Sequence, residues 1–201
     1  MRKLHKILGL IMVLPFIAWT ITGIFFFVKP GYKEAYQALD IKSYPLQSRV
    51  SIEPLSGWLA FEWRRSILGD HLLVKTNTGW QQLDPITFDL RKSLSEDQIR
   101  LLVDDAIAED KARYGEIISI NDHQIVTNQD IVINLNWPQL KLSQKGPDTD
   151  FINQMYEIHY LQWTGIDSID RIMGVVGLAA ILILALIGLK LAFGRVKFIN
   201  R

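Results

Sequence analysis

From Ile7 to Val28 no side chain carries a charge, and the same holds from Ile172 to Leu189. If Lys190 lays its stem along the apolar surface and carries its ammonium outward, the second run extends to Phe193. Each run then has about 22 residues, and at about 1.5 Å per residue such a helix crosses a hydrocarbon layer of about 30 Å. A chain of 201 residues has little room to bury two such runs in a soluble core. Both therefore read as transmembrane helices, one at each end. Met1-Arg2-Lys3 ahead of the first run also suits a signal peptide. That run is long for a signal core, however, and Phe25-Phe26-Phe27-Val28-Lys29-Pro30 offers no small-x-small cleavage site, so it is expected to be a retained anchor.

Charge gives the expected orientation. The tails carry Arg2, Lys3, Lys6, Arg195, Lys197 and Arg201, with Lys190 nearby and no acidic residue. All 21 Asp and Glu lie between the two runs, against 15 Lys and Arg, a formal charge of −6 for that segment. An excess of Lys and Arg marks cytoplasmic ends, so both tails are expected inside and the middle segment outside. An acidic domain of this kind gives no support to nucleic-acid binding. With no cysteine in the chain, disulfides, thiol chemistry and cysteine metal sites are excluded. The expected division is 1–28 for the first tail and span, 29–171 for the extracytoplasmic domain, and 172–201 for the second span and tail.

Within the middle segment, Gly31 to Leu39 is expected to form a short helix. Phe61–Leu68 and His71–Thr76 read as strands joined at Gly69-Asp70, and Asn77-Thr78-Gly79 turns the chain into Trp80–Asp84. Ser95 with Gln98 three residues later predicts a capped helix start, with Glu96 and Asp97 in its first turn. Ile99, Leu102, Val103, Ala106 and Ile107 then recur at helical spacing. Apolar alternation returns at Ile118 and Ile120, at Ile131, Ile133 and Leu135, and at Leu140 and Leu142. Gln144 to Asp150, containing Gly146-Pro147, reads as a connector. A helix lying on an antiparallel sheet accounts for this order, an α+β domain between two spans.

In the spans, Pro15 is expected to kink the first helix. Trp19, Thr20, Thr22 and Gly23 lie toward its far end. The second run has Gly174, Gly177, Ala180, Ala185 and Gly188 at spacings of three to five. Small residues let helix backbones approach closely, so Gly174, Gly177 and Ala180 are the expected packing face.

Lys3-Leu4-His5-Lys6-Ile7-Leu8-Gly9-Leu10, continuing to Thr22-Gly23, resembles the first helix of PepSY-associated transmembrane proteins. Ile158-His159-Tyr160, followed by Arg171 and a helix ending Leu186-Ile187-Gly188-Leu189, resembles that family's second Leu-His motif and next span. Val74–Asp84 with the Ser95 helix resembles a PepSY-like strand-turn-strand and helix. Ile158 replaces the usual Leu, Ile187 stands where Thr is usual, and the larger members have four or more spans. The resemblance implies a bacterial inner-membrane protein with a PepSY-like periplasmic domain. For larger members it implies iron acquisition, some acting as haem-containing reductases of iron-siderophore complexes.

Such haem is held by axial imidazoles on facing helices. The four histidines here are His5, His71, His123 and His159, none inside either apolar run. His5 and His159 are the candidate haem ligands. They are expected at opposite ends of the membrane, so they do not serve one haem within one chain. No cofactor is expected of the isolated chain; haem b enters only through an oligomer or a partner. The simpler readings make His5 an anchor beside Lys3 and Lys6, and His159 part of an interfacial belt from Tyr156 to Trp163 at headgroup level. His71 and His123 read as exposed strand or turn residues, without metal-ligand spacing. Glu96-Asp97, Asp104-Asp105 and Glu109-Asp110 read as a solvated helix face, because a calcium loop would need a central Gly. No hydrolase, nucleotide or metalloprotease motif occurs. The expected function is a non-catalytic accessory protein for a membrane or periplasmic partner. Its rivals are a haem-linked redox component and, more weakly, a regulator of a periplasmic peptidase.

Overall fold

The computed structural model describes residues 1–47 and 52–199, with side chains through residue 193 of the last helix. The tail cations Arg195, Lys197 and Arg201 therefore lie outside the described side chains. In chain order the elements are α1 (Arg2–Val28), α2 (Tyr32–Ala35), β1 (Ala60–Ser66), β2 (Gly69–Thr76), β3 (Gly79–Leu83), α3 (Glu96–Ile107), α4 (Lys111–Tyr114), β4 (Ile117–Asn121), β5 (Gln124–Thr127), β6 (Val132–Asn136), β7 (Lys141–Lys145), α5 (Pro147–His159) and α6 (Asp167–Ile199). They form two compact units, Lys33–Thr149 and a helical unit containing Met1–Tyr32 and the chain from Asp150 onward.

In the helical unit, α1 and α6 are both long and apolar enough to cross a membrane. The helix α1 runs through Pro15 without interruption. Its inner positions are His5, Leu8, Gly9, Met12, Pro15, Ala18, Trp19, Thr22, Gly23, Phe25 and Phe26, which recur along one side of the helix. Thr20 lies off this face and donates its hydroxyl back to Phe16 O at 2.7 Å. On α6 the inner positions include Asp170, Gly174, Gly177, Ala180, Ile181, Leu184 and Gly188. Ala185, expected on the same smooth face, is exposed. At about 100° per residue it lies about 80° around the helix from Gly177, where Leu184 takes its place.

The α+β unit has two antiparallel sheets rather than one, ordered β1-β2-β3 and β4-β5-β6-β7. Beyond β3 the chain folds back only for a single bridge between Leu83 and Leu90, with Asp84 N donating to Asp89 O and Arg91 N to Gln82 O, before α3 carries it away. Ser95 caps α3 as expected: its side chain accepts from Gln98 N, and Gln98 Oε1 accepts from Ser95 N at 3.0 Å. Ile99, Leu102, Val103 and Ile107 of α3 are buried with Leu73 of the first sheet and Ile125, Ile133 and Leu135 of the second. One core thus spans the helix and both sheets. Leu72, Val74 and Leu83 point to the other face of the first sheet, where Trp58, Trp63 and Phe88 cover them.

Two expectations in this unit are corrected. Gln144 and Lys145 belong to β7 and Pro147 opens α5, so 144–150 is not a connector. Proline suits the first helical position, where an N–H has no intrahelical partner to lose. Asp148 there accepts from Arg113 Nη1 at 2.7 Å, and Arg113 Nε and Nη2 both donate to Gln144 Oε1 at 3.1 Å. The strand β5, which the sequence reading lacked, pairs with both β4 and β6. The outer strand β4 slips register between Ile117 and Ser119, which turns Ile118 outward while Ile117 and Ile120 pack on the core.

Candidate functional site

The site is built where α5 ends beside α1 and α6. Leu161 N donates to Ile158 O at 3.3 Å and Gln162 N to Glu157 O at 2.8 Å. This crossed pair of bonds closes a helix C-terminus when the residue beyond it is left-handed. That residue is Leu161, with φ 58°. A left-handed non-glycine residue costs about 1–2 kcal/mol. Its side chain is nevertheless buried, and a Cβ placed on Gly177 would come within 2.9 Å of its Cδ1. The bare backbone of Gly177 gives Leu161 its seat, with the Trp19 ring alongside.

This closure brings His159 against α1. Its carbonyl accepts from Trp19 Nε1 at 2.6 Å, and its Nδ1 lies 2.8 Å from Thr22 Oγ1. The Thr22 hydroxyl proton is committed to Ala18 O, 2.7 Å away. Oγ1 is therefore the acceptor toward His159 and Nδ1 the donor, which in the neutral imidazole puts the lone pair on Nε2. No described group hydrogen-bonds Nε2. Phe26 and Tyr160 meet the imidazole edge to face. Higher on α5, Tyr156 stacks on Phe26 and Phe151 meets Phe25 edge-on.

Thr22 is six residues inside Val28, so the imidazole sits about 9 Å within the uncharged run of α1. The sequence reading put His159 at the outer edge of that run. Distance along the chain to α6 says nothing of how α5 folds back on α1, which is what sets His159 beside Thr22. Helical spacing of Ile152, Met155 and His159 was the signal that could have exposed α5.

His5 lies at the other end of α1. A Cβ added to Gly188 would sit 3.5 Å from its Cε1, and its Nδ1 is buried with no hydrogen-bond partner among the described residues. His5 and Thr22 are 17 residues apart, about 25 Å along the helix. Two axial imidazoles on one iron lie roughly 4 Å apart, taking each bond as comparable to other histidine–metal bonds. His5 and His159 of one chain therefore do not fit a shared haem. Among the described residues, no group of three His, Asp or Glu side chains is placed to hold a metal.

The α+β unit holds a second histidine centre. His71 is fully buried, which corrects its reading as an exposed strand residue. Both faces of β2 are covered, so alternation along that strand carries no exposure signal. Gln82 donates its amide to Trp137 O at 2.6 Å, which turns Oε1 toward His71 Nδ1 at 3.0 Å. The other nitrogen, Nε2, then accepts from Ser66 Oγ at 2.7 Å, and Ser66 Oγ accepts from Leu68 N. Burial pushes the imidazole down to about 4; the Gln82 bond opposes that shift and Arg91, 3.1 Å from Nδ1, adds to it. The pair has the hydroxyl-to-imidazole spacing of an activated nucleophile. Ser66 is only 3% exposed and His71 0%, so no substrate reaches Oγ and the network ties the hairpin to the core. His123 is half-buried and pairs with Asp122 at 2.9 Å. Of the acidic pairs, Asp105 accepts from Tyr44 OH and Asp104 and Glu109 pair with Lys111 and Lys42.

No family model, curated protein or solved structure matches this chain. Its site is thus defined by its own side chains: a tautomer-fixed imidazole, an apolar wall made by Trp19 and Leu161, and a glycine-lined strip of α6.

Proposed function

We propose that this chain is a two-span protein of a bacterial inner membrane, with both termini cytoplasmic and the α+β unit outside as a PepSY-like, non-catalytic accessory module for a membrane or periplasmic partner. The observation that carries this reading is the outward face of α1 and α6. Leu10 is 77% exposed and Phe27 89%, and Val176, Leu178, Leu182 and Leu186 also stand free on α6. An apolar surface of that length needs acyl chains to cover it. Phe61, exposed against the half-buried Trp58, and the exposed Ile86 (87%) and Leu90 support an interaction surface on the domain. A reporter active only in the cytoplasm should work when fused after Arg201 and fail when inserted near Lys145; the reverse pattern would overturn the orientation.

One observation favours a haem-linked redox role as a second reading: within the uncharged run of α1, Thr22 takes up His159 Nδ1 and leaves Nε2 without a described hydrogen-bond partner, as a ligand imidazole is oriented by its outer partner. Since one chain supplies no second imidazole there, such a haem would need an oligomer or a partner subunit. A reduced-minus-oxidised spectrum of protein from haem-sufficient cells separates the two readings. A stoichiometric b-type signal abolished by His159→Ala or His5→Ala would replace the accessory reading with the redox one.

A further inference from the structure

Two adjoining cavities lie where α5 turns into α6. The inner one, about 310 Å³, is lined by Trp19, His159, Leu161, Leu178 and Ile181 and is apolar apart from the imidazole. The outer one, about 420 Å³, is lined by Gln162, Asp167, Asp170 and Arg171. Tyr160 and Gly174 line both. A Cβ on Gly174 would approach nothing closer than Tyr160 O at 3.8 Å, so the shared wall is low on the α6 side.

The charged groups of the outer cavity are not equivalent. Asp170 is engaged, its Oδ1 accepting from Thr164 N at 3.0 Å and Thr164 Oγ1 at 2.7 Å. Asp167 and Arg171, one helical turn apart, have no ion pair or hydrogen bond through their side chains among the described residues. The outer cavity therefore presents a free guanidinium and a free carboxylate and shares Tyr160 and Gly174 with the apolar one. Guanidinium matches a phosphate through two parallel N–H donors, and a carboxylate matches an ammonium. Two carboxylates and one guanidinium leave one negative charge, which disfavours a headgroup that is only anionic.

We propose that this composite cavity binds one phospholipid with a phosphoethanolamine headgroup. The phosphate is held by Arg171, the ammonium by Asp167, and one acyl chain passes Tyr160 and Gly174 to lie against Trp19, Leu178 and Ile181. The proposal rests on membrane insertion, and its test separates the two. The full chain is reconstituted in phosphatidylcholine vesicles, and retention through an alkaline wash is measured first. Phosphatidylethanolamine or phosphatidylglycerol with brominated chains is then titrated in, and quenching of Trp19 is taken as the difference from Trp19→Phe.

The expected result is quenching by brominated phosphatidylethanolamine at about one tenth of the mole fraction that phosphatidylglycerol requires, a preference equivalent to about 1.4 kcal/mol. Asp167→Asn should abolish that preference without weakening phosphatidylglycerol, whereas Arg171→Gln should weaken both lipids. Equal quenching by the two lipids, or a preference untouched by Asp167→Asn, would overturn the lipid site while leaving membrane insertion standing. Loss of the chain in the alkaline wash would overturn both.

Discussion

The two units solve opposite problems with the same side chains. In Lys33–Thr149 the core groups point inward: Leu102, Ile107, Ile125 and Ile133 are fully buried, and His71 is hydrogen-bonded to the buried Ser66 and Gln82. In the helical unit the large apolar groups point outward, while glycines, Thr22, His159 and Asp170 face neighbouring helices or turns. Water drives the first arrangement by expelling apolar area. In the second that drive is not what holds the inner face together, and contact there depends on close backbone approach and hydrogen bonds. A given substitution should therefore have very different consequences in the two units.

The largest effect is expected in the α+β core. Ile107→Ala leaves a void between α3 and both sheets and should destabilise that unit by about 4 kcal/mol, read by urea unfolding of the full chain in detergent. A loss under 1 kcal/mol would mean that the two sheets do not share one core. The next largest concerns acid. His71 has a folded pKa of about 4 against about 6.5 unfolded, so the unfolded chain takes up its proton first. The stability from keeping it neutral is complete above about pH 6.5 and declines as pH falls toward 4. The total loss is about 3 kcal/mol. His71→Leu should be less stable at pH 7 but nearly level from pH 6.5 to 5. If its slope in that window equals that of the parent, the burial argument fails.

Smaller effects are expected in the helical unit. Gly177→Leu forces Leu161 and Trp19 to move and should cost about 2 kcal/mol, seen as a lower melting temperature in detergent. An unchanged melting temperature would place Gly177 away from the contact. Last, Thr22→Val removes the acceptor for His159 Nδ1 and should cost about 1 kcal/mol, whereas Leu182→Ala, on the outer face of α6, should stay within about 0.5 kcal/mol. Equal effects from that pair would erase the contrast between inner polar and outer apolar faces.

What could be read from the chain follows the same division. Local signals were enough for the Ser95 cap, the α3 face, the first three strands and the two long apolar helices, because each depends on neighbours in sequence. Non-local facts were not. His71 looks like any polar strand residue until both faces of β2 are covered, and the depth of His159 depends on α5 folding back along α1. Pro147 did announce a helix start, but beside Gly146 it reads equally well as a loop. At the site, the sequence nominated His159, Gly174 and Gly177 without indicating that Thr22 fixes the imidazole tautomer. Two residues 137 positions apart leave no periodic trace of a hydrogen bond.

The register slip in β4 bears on how copies of the α+β unit meet one another. As the outer strand of a four-stranded ladder, β4 would offer an even row of amides to a strand from a neighbouring molecule. The extra residue at Ile118 spoils that row, twists the strand and makes continuation into an intermolecular sheet unfavourable. Copies of the unit can thus meet without zipping edge to edge, and β4 acts as a guard against aggregation.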